Sequence, residues 1–285
     1  MKLPMIIRHS ARAAAALVVY LFTSIAFAQT APEVTLRRLD CGNEPKPMDV
    51  RSFSDSYAYA DLKLQLTYSC YLIQHGSDYM IWDAGNPPGN APEAPKASIL
   101  ELLGRLKVTA DQVKYLGISH NHHDHIGQAG SLPQATLLIG KGDWDMLIAA
   151  QPPPGMSVEE FALWRVPFAP WISEGSKVEV LRRDKKDVFG DGTVVMLSTP
   201  GHTPGHHSLL VRLKQMGNVL LSGDLTHFHE NYEDNGVPTW NFNRADTLAS
   251  LDRFKRIAKN LDATVIIQHD PRDVGKLPAF PAAAK

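Results

Sequence analysis

Ser119-His120-Asn121-His122-His123-Asp124-His125-Ile126-Gly127 is the stretch on which the reading of this chain turns. It has the form His-x-His-x-Asp-His and follows the apolar run 115–119, which reads as a short buried strand delivering the chain into His120. Neutral imidazoles and a carboxylate are the borderline ligands that zinc takes. In extended backbone, residues i and i+2 point the same way, so His120 and His122 can grip one metal ion. Asp124 and His125, where the chain turns, can aim at a neighbouring one.

Three more segments place chemistry at strand ends. Thr199-Pro200-Gly201-His202-Thr203-Pro204-Gly205-His206 sets a His in a turn stiffened by Pro and Gly. Ser222-Gly223-Asp224 puts a carboxylate after another strand, and Gln268-His269-Asp270 puts a His after the last one. Taken singly each reads as a structural residue; together they complete a ligand set for two metal ions.

Composition narrows the rest. The 285 residues are 44% apolar and 21% charged, which suits a globular chain and excludes a disordered one. With 29 basic and 30 acidic residues there is no positive excess to point to nucleic acid. Lys2, Arg8 and Arg12, the apolar run 13–22 and Ala26-Phe27-Ala28 form the three parts of a secretory leader cleaved after Ala28. Residues 29–285 are then a single exported domain, periplasmic or secreted, with 26 basic against 30 acidic residues. No second hydrophobic span follows, so the mature chain is expected to lack a membrane span. The two cysteines, Cys41 in a turn-like stretch and Cys70 in an apolar strand, are expected to be separate thiols, with a bridge as the alternative that an oxidising compartment permits.

Strands are expected over 66–74, 78–83, 115–119, 135–140, 178–182, 193–198, 208–213, 219–222 and 264–268. Helices are expected over 98–106, 143–150 and 158–164, and after Asn243, where Leu248, Leu251, Phe254 and Ile257 share a face. Periodicity goes no further than mixed α and β.

The four motifs, in this order and spacing, resemble the metallo-β-lactamase superfamily, over residues 36 to 280. The resemblance implies an α/β fold, an αββα sandwich of two mixed sheets flanked by helices, with two Zn2+ at one edge. Matched by position, His120, His122 and His202 would hold the first zinc, and Asp124, His125 and His269 the second, with Asp224 bridging. Asp83 would support a zinc-binding His. The bridging Asp224 separates the chain from the β-lactam-hydrolysing branches. Glyoxalase II shares it but has a helical C-terminal extension, and here only sixteen residues follow His269.

His229-Glu230-Asn231-Tyr232-Glu233-Asp234-Asn235-Gly236-Val237-Pro238, together with Tyr68–Ile73 and Trp82-Asp83-Ala84-Gly85, looks like the N-acyl-homoserine lactonase branch. That likeness implies a quorum-quenching lactonase: a hydroxide shared by two zinc ions attacks a lactone carbonyl, and Asp124 passes a proton to the leaving oxygen. The chain departs from that branch twice. His227 stands where a substrate-binding Tyr is usual, and either takes over as donor or marks a different ester, lactone or organophosphate substrate; His123 stands where Phe is common. The other readings are a β-lactamase, arylesterase or organophosphate hydrolase on the same fold, and a zinc-binding protein without catalysis. The expected partner is a small lactone or ester, and a homodimer is left open. His206 and His207 are expected to orient or pack. Phe161, Trp164, Phe168 and Trp171 are expected in the core, with an acyl-chain pocket as the alternative that Trp240 shares.

Overall fold

A computed structural model describes Met1 and residues 32–173 and 177–285. Apart from Met1, the leader read over residues 1–28 lies outside the described residues. Strand β1 (Val34–Asn43) is followed by the short ribbon β2 (Met48–Asp49) and β3 (Lys63–Leu64), then by the hairpin β4 (Thr67–His75) and β5 (Asp78–Trp82). Helix α1 (Ile99–Arg105) leads to β6 (Val113–Gly117), the single turn α2 (His123–Ile126) and β7 (Thr136–Gly140). Helices α3 (Lys141–Leu147), α4 (Val158–Arg165) and α5 (Ala169–Ile172) precede β8 (Val178–Leu181). The second half runs β9 (Lys185–Asp187), β10 (Val194–Ser198), β11 (His207–Leu213), β12 (Gly217–Leu221), α6 (His229–Asp234), α7 (Arg244–Asn260) and β13 (Thr264–Ile266).

The first sheet has the order β1-β4-β5-β6-β7-β8 and the second β13-β12-β11-β10-β9. Both faces of each sheet are covered, which is why so many strands read as unbroken apolar runs. Alternation sorts the side chains between the layers. Tyr71, Ile73, Met80 and Trp82 of the first sheet meet Val194, Met196, Leu209, Val211, Val219 and Leu221 of the second. The opposite face of the first sheet, with Leu72, Ile81, Leu116 and Leu137, packs on Ile99, Leu103, Phe161, Trp164, Phe168 and Trp171. The outer face of the second, with Val195, Leu197, Leu210 and Leu220, packs on Leu251 and Phe254 of α7. Each such fully buried side chain contributes about 1.5–3 kcal/mol. The layers are therefore helix, sheet, sheet, helix, as the resemblance implied.

Caps mark the helix starts. Ser98 and Ser157 form reciprocal capping boxes with Glu101 and Glu160. Asn243 accepts the Asp246 N–H at the start of α7. Strands β5, β6 and β7 are mutually parallel, and so are β12 and β13. The chain leaves β5, β6, β10, β12 and β13 just before Asp83, His120, His202, Asp224 and His269 respectively, and so gathers these residues at one edge of the sandwich.

The structure corrects the cysteine expectation. Cys41 and Cys70 are joined in a buried disulfide, with Cα atoms 5.8 Å apart. The turn-like Asp40-Cys41-Gly42-Asn43 stretch belongs to β1, which is irregular between Asp40 and Asn43 where it pairs with β4. That irregularity, with Gly42 at φ 113°, is the turn signal. Gly85, at φ 54°, lies directly over the bridge. A Cβ there would meet the Cys41 and Cys70 sulfurs at 2.6 and 2.8 Å, so only glycine lets the Asp83–Asn86 turn pass.

Candidate metal centre

Seven side chains from four strand ends converge. His120, His122, His202 and Asp224 form one group and Asp124, His125, Asp224 and His269 a second, each with its ligand atoms within 4.8 Å of one another. Asp224 belongs to both, and its two oxygens divide between them. Oδ2 lies 3.5 Å from Nε2 of His120 and of His202. Oδ1 lies 3.1 Å from His125 Nε2 and 2.8 Å from His269 Nε2. Asp124 Oδ2 closes the second group at 3.3 Å from His125 and 3.5 Å from His269.

Hydrogen bonds behind the rings set which nitrogen faces inward. The Ser119 hydroxyl donates to Asp83 Oδ2, so its oxygen accepts the His120 Nδ1 proton at 3.0 Å. His125 Nδ1 donates to Asp83 Oδ2 at 2.9 Å, and His269 Nδ1 to the Thr67 carbonyl at 2.9 Å. Whenever these three rings are neutral, their inward nitrogens therefore carry lone pairs. His120 Nε2 is buried with no hydrogen-bond partner. His202 Nε2 and His122 Nδ1 face each other at 3.0 Å. Lone pairs and two carboxylates with so few hydrogens among them are a donor set that fits metal cations.

The electrostatics agree. Burial, and then the neighbouring imidazoles, push His120 and His202 well below the usual His range, so both stay neutral. Burial alone would raise Asp224, but His125 and His269 outweigh it and hold the carboxyl well below its usual range. Asp124 is held low against burial by the same two rings. Burial would lower His125, yet Asp224, Asp124 and Asp83 drive it well above the usual range. Three carboxylates around one imidazole amount to a demand for positive charge that a divalent ion meets.

The supports come from the same loops. Asp83 has φ 59°, an uncommon conformation for a residue other than Gly, Asn or Asp, and takes the Ser119 N–H at 2.6 Å and the Gln268 amide at 2.6 Å. It thus supports a site imidazole, as the resemblance implied. His206 lies outside both groups: its Nδ1 donates to the Thr199 carbonyl and its Nε2 accepts the Asp224 N–H at 2.9 Å. Burial pushes it down to about 3, which keeps that lone pair available. His207 Nδ1 donates to the Gly205 carbonyl. Gly201, at φ 137°, lets the His202 turn lie against Thr247 of α7, where a Cβ would come within 2.2 Å of its backbone nitrogen. Asp143 of α3 accepts from Thr203 Oγ1 and Gly205 N on the same turn, and burial raises its carboxyl to about 7. Trp164 Nε1 donates to the Asn121 carbonyl between two of the His.

A cavity of about 370 Å³ opens over the centre, lined by Glu44, Met48, Phe53, Leu66, Tyr68, His122, His123, Asp124, Asp224, His227, Trp240 and His269. The size suits a small organic molecule. His227 is buried with Nε2 3.3 Å from Asp224 Oδ2 and its ring edge-on to Phe53. The Asn231 amide nitrogen donates to the Phe53 and Gly236 carbonyls, which turns Asn231 Oδ1 towards His227 Nδ1 at 3.4 Å. His227 thus has Asn231 Oδ1 beside Nδ1 and Asp224 Oδ2 beside Nε2, with the ring at the cavity. Of the aromatics weighed for a pocket, Trp240 lines the cavity, while Phe161, Trp164, Phe168 and Trp171 are buried against the first sheet.

Sequence reading missed the wall residues Glu44, Met48, Phe53, Leu66 and Tyr68. One signal for Tyr68 was available. A strand antiparallel to β5 must begin where β5 ends, so the first residues of β4 reach the edge that holds Asp83.

A family model, the Metallo-beta-lactamase superfamily, matches residues 65–269. The N-acyl homoserine lactonase AttM of Rhizobium radiobacter is 29% identical over 231 residues, 74% of this chain and 84% of that protein. AttM of Azorhizobium caulinodans is 30% identical over 228 residues, with the same coverage of each chain. A crystal structure of a quorum-quenching N-acyl homoserine lactone lactonase superposes with TM-score 0.71 at 24% identity, covering 89% of this chain and 98% of that one.

Proposed function

From the premise that the chain belongs to the metallo-beta-lactamase superfamily, we propose that it is an exported dinuclear zinc hydrolase that opens the ring of N-acyl homoserine lactones and so quenches quorum signals. The observation that carries the metal count is the division of Asp224, with one oxygen towards each histidine group. The substrate class is supported by relatives that are N-acyl homoserine lactonases and by a cavity with an apolar wall of Met48, Phe53, Leu66 and Trp240. Export is supported by the leader-like sequence 1–28 and by the buried Cys41–Cys70 disulfide, which suits an oxidising compartment.

His120, His122 and His202 would hold one ion, Asp124, His125 and His269 the other, with Asp224 between. Bound there, two zinc ions would supply a nucleophile from water at neutral pH and a Lewis acid for the lactone carbonyl. Asp124 moves the proton. Its side chain is 24% exposed to the cavity side, and His125 and His269 keep it ionised. It accepts a proton from the attacking water and returns it to the ring oxygen as the C–O bond breaks. His227, at the cavity with Nε2 3.3 Å from Asp224 Oδ2, is placed to donate a hydrogen bond to the lactone carbonyl oxygen. Asp83, Ser119 and Thr67 fix the rings behind, so the site need not reorganise as charge develops.

Acid release from a long-chain N-acyl homoserine lactone, beside a β-lactam and an aryl ester, tests this reading with the zinc-loaded protein. The expected result is rapid lactone opening with at most slow turnover of the other two. A β-lactam or aryl ester as the faster substrate would overturn it.

A further inference from the structure

On one wall of the cavity the Tyr68 hydroxyl donates to Glu44 Oε1 at 2.5 Å. Among the described residues Glu44 has no ion-pair partner, and none of the cavity's lining residues is Lys or Arg. A phenol keeps its proton at neutral pH, and here that proton is directed at the Glu44 carboxylate. What the pair has left for a ligand is therefore acceptor capacity alone: the lone pairs of the phenol oxygen and Glu44 Oε2. The Tyr68 ring stands edge-on to His269, with centroids 5.3 Å apart, which places the pair about one substituent away from the reacting centre.

We propose that Glu44 and Tyr68 select the substrate by accepting the N–H of an amide borne on the carbon next to the lactone carbonyl. The inference rests on the lactonase reading and deepens it. A plain alkyl lactone has no donor to offer this wall. A substrate that carries its own carboxylate meets an anion with no cation beside it, so the wall also works against anionic ring systems. The pair is thus a specificity device, distinct in kind from the apolar surface of Met48, Phe53, Leu66 and Trp240, which tells chains apart by length alone.

The test uses the zinc-loaded protein and two lactones of equal length, N-hexanoyl homoserine lactone and an alkyl γ-lactone without the amide. In Glu44→Gln and Tyr68→Phe the ratio of kcat/KM for the first over the second should fall about tenfold, mostly through KM, as loss of a hydrogen bond to a charged acceptor implies. An unchanged ratio in both variants would overturn the selection. Calorimetric binding of the N-hexanoyl amino γ-lactam, which does not turn over, separates this proposal from the one it rests on. If neither lactone is opened but the lactam binds about tenfold more weakly to Glu44→Gln, the selection stands and the lactonase reading falls. If both lactones are opened and the lactam binds wild type and Glu44→Gln alike, the lactonase reading stands and the selection falls. Glu44→Gln keeps the side-chain shape, and a shared thermal midpoint with wild type confirms that it folds.

Discussion

On the floor of the cavity, His125 is held by Asp83 at 2.9 Å, His269 by the Thr67 carbonyl at 2.9 Å, and the Asp224 backbone by His206 at 2.9 Å. On the wall, Phe53 meets Trp240 and Phe228 edge-on at 4.7 and 5.6 Å, and Trp240 is 45% exposed. The floor is a network of directional bonds, each fixing a ring nitrogen or a carboxylate. Apart from the Glu44–Tyr68 pair, the wall is a set of apolar surfaces that need only the right volume. On the proposed reading, geometry is demanded where metal and water would react, and shape suffices where a flexible acyl chain would be accommodated. A change on the floor should therefore act on metal binding and on kcat, and a change on the wall on KM.

The sharpest break is at Asp224. Asp224→Ala removes the one carboxylate shared by both groups, and should lower kcat/KM by about a thousandfold or more, since several kcal/mol of charge stabilisation go with it. Metal analysis of the purified variant should find fewer than two ions per chain. Wild-type zinc content in an inactive variant would mean that Asp224 acts in the chemistry and not in holding metal.

One step back, Asp83→Asn keeps the shape of the residue that bonds His125, Ser119 and Gln268 but removes its charge. Zinc affinity, read by competition with a chromophoric chelator, should fall about 10- to 100-fold. No change would place the ring's orientation in packing alone. On the wall, Trp240→Ala should raise KM for a long-chain lactone about tenfold, from roughly 1.5 kcal/mol of lost apolar burial. A short-chain lactone should be much less affected, and a fall in kcat without a change in KM would erase the distinction between floor and wall.

The last expected effect is on stability and not on activity, a pH slope at Asp143. Its carboxyl, ordinarily at 3.8, is raised by burial to about 7, so the folded state holds the proton more tightly than the unfolded chain. Such a group removes stability as pH rises from about 4 to about 7, because ionisation is opposed only in the fold. Asp143→Asn cannot ionise and lacks that loss. Thermal midpoints measured across this window should show the variant gaining on wild type as pH rises. Parallel curves would show that the bonds from Thr203 and Gly205 already favour the ionised form.

The same division explains what could be read from the sequence. His120, His122, Asp124, His125, His202, Asp224 and His269 are legible because metal chemistry admits few residue types and the strand ends bring them in short motifs. Strands 66–74, 193–198 and 208–213 are legible because both faces of each sheet are covered. Strand β1 was missed: Arg37, Arg38 and Asp40 interrupt its apolar pattern, and Arg38 is accommodated by the hydroxyls of Ser69 and Thr67 on β4 and by Asp40. The disulfide was missed because the pairing of β1 with β4 is a tertiary fact. The wall was missed because Glu44, Met48, Phe53, Leu66, Tyr68 and Trp240 come from separate loops and strand starts, and no spacing joins them. The surroundings of His227 depend on which way Asn231 points, and that is set by the carbonyls of Phe53 and Gly236.

The central claim is that the seven floor residues hold two zinc ions that open a lactone together. Stepwise addition of zinc to metal-free protein, with lactone opening followed at each step, tests it most directly. Activity that rises with added zinc and levels off at two equivalents is the result this account predicts. Full activity at one equivalent, or lactone opening that is indifferent to zinc, would contradict it.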